Sequence, residues 1–350
     1  GVVLWIRIRL LGVPLERDEG EYAYIAQQLL QGALPYTESL SMKFPGIFFM
    51  YAGILSVFGE SHEAIHLSLI FLNLSVAFLL FLLGRNLLGL SAGIVAATCY
   101  SILTLSPSMQ GIWANSEHFV LLPAVGGILL LRMAKDQPVR IFFSGLLLGY
   151  ALLIKQHAIY FCLFGAIYLI SQYFRKSQPL KNSLYILALF ATGGLAPIII
   201  TSLLYAATGN FSEFWFCTFQ YASKYVSLVP LSAGLANLQY NFSTIAESNF
   251  SILILSFVGL ASAVWKKDIK QEFIFLSTFL IFSFLAMTPG LYFRSHYFIL
   301  WMPAISLLAG AGFETLTGRF SAVVKKLIPL GLLIFIFGSP MLIRKDFFFN

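Results

Sequence analysis

Runs of apolar residues long enough to cross a ~30 Å hydrocarbon core as helices recur along this chain. They lie near 64–84, 91–108, 117–133, 141–155, 158–174, 184–207, 250–265, 272–288, 297–315 and 327–343. Residues 2–13 are also apolar, but at about 1.5 Å per residue they reach only about half way across. Because the chain opens with Gly1 rather than Met, this segment is expected to be the outer end of a truncated helix and an eleventh span. The pattern predicts an all-α polytopic membrane protein, a single domain over 1–350 with about eleven transmembrane helices.

Two connections, 14–63 and 208–249, are too long to be turns, and long connections in compact proteins usually carry function. In the first, Tyr22, Ile25, Ala26 and Leu29 recur at helical spacing while Glu21, Gln27, Gln28 and Gln31 fall largely elsewhere. That predicts an amphipathic helix in the membrane interface, stopped by 32–35 and followed by a short apolar helix over 46–58. In the second, the aromatics from Phe211 to Tyr225 read either as an interfacial belt or as the floor of a lipid or sugar site.

Composition supports the membrane reading, with 59% hydrophobic and 11% charged residues against roughly 45–50% apolar in soluble domains. Basic residues then orient the chain, since cytoplasmic loops collect them. Alternate loops hold thirteen cations and four acids, +9 in all, and the opposite side carries −2. The net +7 is thus a topology signal, and no nucleic-acid partner is implied. With the +9 side in the cytoplasm, loop 14–63 and all five histidines (His62, His66, His118, His157, His296) face outside. Cys99, Cys162 and Cys217 form no spacing motif and read as core thiols rather than a disulfide or metal framework.

The candidate chemistry gathers on that outer side. Loop 14–63 holds seven of the fifteen acids, including Asp18 and Glu19 in R-D-E-G-E-Y-A-Y. Asp18 and Glu21 have the spacing of a capping box, but a second carboxylate beside Asp18 at a membrane face also suggests function. Lys43, before Pro45-Gly46, either snorkels to the interface or binds a phosphate. Glu117 and His118, after Asn115-Ser116, read as the capped first turn of a helix or as an acceptor-side pair able to handle protons. Lys155 with His157, and Arg294 with His296, add outer-face cations suited to an anionic lipid-linked substrate.

At these residues the chain resembles the bacterial glycosyltransferase family 39 group, relatives of protein O-mannosyltransferases and lipid A aminoarabinose transferases in the GT-C superfamily. The resemblance rests on R-D-E-G-E-Y-A-Y and K-F-P-G, with N-S-E-H-F at 115–119, L-I-K-Q-H at 153–157 and R-S-H-Y-F at 294–298. It implies a GT-C-like bundle in the cytoplasmic membrane of a bacterium. Its activity would be inverting transfer of a sugar from a polyprenyl-phosphate carrier to a glycan, lipid or protein hydroxyl at the outer face. By the same resemblance Asp18 is the catalytic base and Glu19 orients the acceptor or a cation. Lys43, Lys155, Arg294 and His296 meet the carrier phosphate, and Glu117, His118 and His157 line the acceptor or sugar side. Metal ligands are not assigned, and a divalent cation stays open. Phe44 stands where that family's segment has its first proline.

The competing class is a transporter or flippase of an anionic or lipid-linked solute, with the same acids as a proton relay. The absence of repeats between the halves, and acids in an outer loop rather than at mid-membrane, favour the enzyme.

Overall fold

In the computed structural model the described residues, 2–135, 137–176, 179–264, 269–318 and 338, form helices and connections, with no strand among them. After α1 (Val2–Arg9), the first long connection folds into α2 (Arg17–Leu30) and α3 (Gly46–Phe58). The predicted spans follow as α4 (His62–Leu88), α5 (Leu90–Leu103), α6 (Ser116–Arg132), α7 (Pro138–Ile154), α8 (Ile159–Lys176) and α9 (Leu180–Ala207). Residues 208–249 are helical too: α10 (Phe211–Trp215), a π-helical turn, α11 (Ala222–Val226) and α12 (Leu231–Ser248). Then come α13 (Phe250–Ala261), α14 (Lys270–Leu285) and α15 (Met302–Gly318), the last entered through a 3-10 turn, Ser295–Trp301. The predicted span 327–343 lies outside the described residues, as do Lys266, Lys267, Arg319, Lys325 and Lys326 of the basic loops.

Three described helical stretches, His62–Leu88, Leu180–Ala207 and Ser295–Thr317, are each long and apolar enough to cross a membrane. The pair α12 and α13, bent by 100°, passes the same test only when taken together, as a broken span or a re-entrant loop. The count of about eleven spans stays with the hydropathy pattern.

Without water to drive apolar faces together, helices in lipid associate by close backbone approach at small residues. A Cβ on Gly149 of α7 would lie 2.0 Å from the Gly194 carbonyl oxygen of α9, and one on Gly259 of α13 would lie 2.0 Å from that of Leu308 in α15. Both crossings therefore require glycine. At Gly89, with φ of +104°, the chain turns from α4 straight into α5.

One such contact sets the site. A Cβ on Gly46 would stand 2.5 Å from the Leu153 carbonyl oxygen, so glycine lets the N-terminus of α3 abut the end of α7 beside Lys155. Gly46→Ala is expected to cost about 1–3 kcal/mol by overpacking. Gly53→Ala, in the same helix with nothing within 4 Å, should be neutral or stabilising. Thermal unfolding of the two proteins in detergent checks this, and equal Tm values would refute the close approach.

Candidate active site

The N-terminal parts of α2, α3 and α6, the α7–α8 junction and the 3-10 turn at 295–301 meet around one polar cluster. The segment carrying Lys43 is pinned on several sides. Tyr36 donates from its hydroxyl to the Lys43 carbonyl at 2.7 Å, and Gln156 Nε2 donates to the Met42 carbonyl at 2.8 Å. Ser41 Oγ donates to Glu21 Oε1 at 2.6 Å. Phe44 is buried, its ring 5.5 Å from that of Phe219, so the residue replacing a proline anchors the segment by packing.

Held this way, Lys43 Nζ lies 3.1 Å from Asp18 Oδ2 and 3.2 Å from Glu21 Oε2, and 4.2 Å from the ring centre of Tyr22. Arg17 Nη2 donates to the other Asp18 oxygen at 2.9 Å. The capping expectation needs correction here. The N-cap of α2 is Glu16, whose carboxylate accepts from the Asp18 N–H while the Glu19 carboxylate accepts from the Glu16 N–H, each at 2.8 Å. The side chains of Asp18 and Glu21 are thereby left free to hold Lys43.

Burial alone would raise the Asp18 carboxyl, but Lys43 first, then His296 and the hydrogen bonds from Arg17 and Lys43, hold it well below the usual carboxylate range. A depressed folded value gives stability that is complete above the unfolded value of about 3.9 and is lost only as pH falls through the folded one. Asp18 therefore stays ionised across the physiological range. A kcat/KM profile over about pH 5–8 should carry no acid limb from Asp18. An acid limb there that Asp18→Asn abolishes would refute the pairing.

A second acid–lysine pair lies deeper. Glu117, fully buried at the start of α6, accepts a hydrogen bond at Oε1 from Lys155 Nζ. Lys155 Nζ also sits 4.6 Å from the ring centre of Tyr297. His296 Nε2 lies 3.8 Å from the same Glu117 oxygen, while its Nδ1 is 2.7 Å from Gln110 Oε1. His157 packs edge-on against Tyr297, ring centres 4.8 Å apart, and its Nδ1 is 2.8 Å from the Ala286 carbonyl. Tyr22 joins the two pairs, since its hydroxyl donates to Ser116 Oγ at 3.3 Å and Ser116 donates to Glu117 Oε2 at 3.2 Å. Burial, with the Asp18 and Glu117 charges, pushes the Tyr22 phenol well above its ordinary value and keeps it a donor. Arg294 reaches Tyr225, Nη2 to hydroxyl at 2.7 Å, and lies 5.3 Å from the Tyr292 ring centre.

Two predicted members stand apart. Glu19 is fully buried, and its oxygens take hydrogen bonds from the Glu16 and Ala114 N–H groups, with His66 Nε2 at 3.2 Å. It ties α2 to α4 and to the segment before α6 and so fixes the helix that carries Asp18. His118 follows Glu117 in α6 but its side chain points elsewhere, since successive helical residues lie about 100° apart. Its buried ring faces Gly111 and Arg7. Sequence reasoning gave no site role to Tyr22, Tyr297, Ser116 or Gln110, although the first three fall within motifs it singled out and only Gln110 carried no signal. Among the described residues no group of three or more His, Cys, Asp or Glu side chains is arranged to hold a metal ion.

The fold that carries this cluster is shared with solved structures. ArnT from Cupriavidus metallidurans, bound to undecaprenyl phosphate, superposes with a TM-score of 0.67 at 17% identity, over 95% of this chain and 62% of that one. The archaeal oligosaccharyltransferase AglB from Archaeoglobus fulgidus, in complex with an inhibitory peptide and a dolichol-phosphate, gives 0.54 at 11% identity, over 97% and 54%. The chain thus shares its fold with these two membrane enzymes. Residues 42–205 also match the dolichyl-phosphate-mannose-protein mannosyltransferase family model, a segment that contains Lys43, Glu117, Lys155 and His157. Asp18, Arg294 and His296 lie outside it. No curated protein matches the chain by sequence. The chain thus spans about three fifths of the ArnT chain and about half of the AglB chain.

Proposed function

We propose that this protein is a glycosyltransferase of the outer face of the bacterial cytoplasmic membrane, moving a hexosyl or pentosyl group from a polyprenyl-phosphate carrier to an acceptor hydroxyl with inversion. The observation that carries the reading is the partly buried Asp18–Lys43 pair at 3.1 Å, within a fold shared with ArnT. A carboxylate and a cation on one side of a membrane bundle match the two needs of this reaction. The acceptor hydroxyl must lose a proton as it attacks the anomeric carbon, and the departing carrier phosphate must be neutralised.

Asp18 is the base. Lys43 and Arg294 meet the leaving phosphate, with Lys155 and His296 behind them. Glu117 and His157 shape the acceptor or sugar side, and Glu19 fixes α2. Lys43 lies between Asp18 and Glu21, so a phosphate that draws its charge away raises the proton affinity of Asp18 as the hydroxyl arrives. The apolar helices and the Phe211–Tyr225 aromatics hold the isoprenoid tail.

Purified protein in detergent, given a short-chain polyprenyl-phosphate sugar and a panel of acceptors, should release polyprenyl phosphate. No turnover in detergent, with solute movement in sealed vesicles, would favour the transporter class instead. Leu40→Cys should react with an impermeant thiol reagent on intact cells, and protection until permeabilisation would overturn the outer-face assignment.

A further inference from the structure

A cavity of about 430 Å³ lies between α1, α4 and α5, away from the Asp18 cluster, and its wall includes Arg7, Asn73, Leu74, Thr98, Ser101 and Thr104. Arg7 is 6% exposed and Asn73 is 5% exposed. Arg7 Nη2 donates to the carbonyls of Thr104 at 2.8 Å and Gly111 at 3.2 Å, capping the carboxyl end of α5. That role leaves Arg7 Nε buried without a partner. Asn73 Oδ1 accepts from the Tyr100 hydroxyl at 2.8 Å, but Asn73 Nδ2 is equally without one. No ion pair among the described residues involves Arg7.

A guanidinium in an apolar setting is costly unless a counter-charge accompanies it, and capping supplies only partial charges. The two orphaned groups are both donors, and Thr98 lines the same wall. Donors without acceptors, around a positive charge, suit an oxyanion. The rim points to where such an anion would come from. Val2, Leu4 and Leu74 are exposed apolar side chains, at 52%, 40% and 52%, as on a face that meets acyl chains.

We infer that this cavity binds a phosphate oxyanion against Arg7 and Asn73, a second anion site distinct from the one around Lys43. A lipid headgroup entering between α1 and α4 and a free phosphate share this chemistry. The inference does not depend on the transfer reaction.

The full-length protein, delipidated in detergent, is titrated separately with phosphatidylglycerol, phosphatidylcholine and inorganic phosphate. Retained lipid is read by native mass spectrometry and stabilisation by Tm. Wild type should hold phosphatidylglycerol at least ~10-fold more tightly than phosphatidylcholine, and Arg7→Gln should lose that preference. Arg7→Gln also removes the α5 cap, a loss that can unfold the protein by itself, so Thr98→Leu serves as the second variant. It replaces a hydroxyl-bearing wall residue with a larger apolar one, touches none of the Arg7 hydrogen bonds and should lose the preference equally. A Tm rise with inorganic phosphate that both variants abolish would support the site with a free anion as its occupant. The absence of both a lipid preference and a phosphate-induced Tm rise in wild type, or either response surviving in a folded Thr98→Leu protein, would overturn it.

Discussion

Asp18→Asn is expected to lower transfer by at least ~10²-fold while leaving the protein folded and at normal abundance in the membrane. The substitution is nearly isosteric. The cap of α2 belongs to Glu16 and Glu19, so it is untouched, and the amide oxygen can still accept from Lys43. What is lost is the ability to take a proton. The contrasting substitution is Glu19→Gln. Glu19 accepts from two backbone N–H groups and contacts His66, so its loss should appear as lowered Tm, with activity following the folded fraction. The pair of variants therefore separates chemistry from positioning. Normal turnover in a folded Asp18→Asn protein would remove Asp18 as the base.

The bundle was legible from the sequence because lipid solvation demands long uninterrupted apolar runs, and α4, α6, α7, α8 and α9 follow those runs closely. α3 was legible to its boundaries, 46–58, since Pro45-Gly46 starts it and Gly59, at φ of +93°, ends it. The cap of α2 was not, for a definite reason. E-R-D-E-G-E offers two acid pairs at the same i, i+3 spacing, Glu16 with Glu19 and Asp18 with Glu21, and local pattern cannot choose between them. Packing chooses: Glu19 is drawn inward by the Ala114 N–H and His66, which sets the helix register and turns Asp18 toward Lys43.

The Glu117–Lys155 pair was only partly legible. Charge asymmetry put both residues on one side of the membrane, but their contact joins positions 38 apart and depends on how α6 and α7 cross. The tyrosines beneath the two lysines were harder still. In a chain with 16 tyrosines, an aromatic near a helix end reads as an interfacial anchor until a cation is seen above its ring.

Lys43→Met should reduce turnover by the equivalent of roughly 2–4 kcal/mol, with a smaller effect on carrier binding. The phosphate gains charge as the glycosidic bond breaks, so a cation aimed at it stabilises the transition state more than the bound carrier. Met keeps most of the apolar stem over Tyr22 and removes the ammonium. The substitution also removes the charge that holds the Asp18 carboxyl down, leaving the Arg17 contact to compensate it. An acid limb from Asp18 should then move up toward the measurable range in the kcat/KM profile. Arg294→Lys should be only partly tolerated, because an ammonium cannot rebuild a forked guanidinium contact with phosphate, and Lys155→Met should fall through stability as well, since it strands a buried Glu117. Steady-state kinetics with a short-chain polyprenyl-phosphate sugar decides the matter. Unchanged turnover in Lys43→Met would take the lysine out of the mechanism, and a lower kcat with an unmoved pH profile would separate phosphate neutralisation from its hold on Asp18.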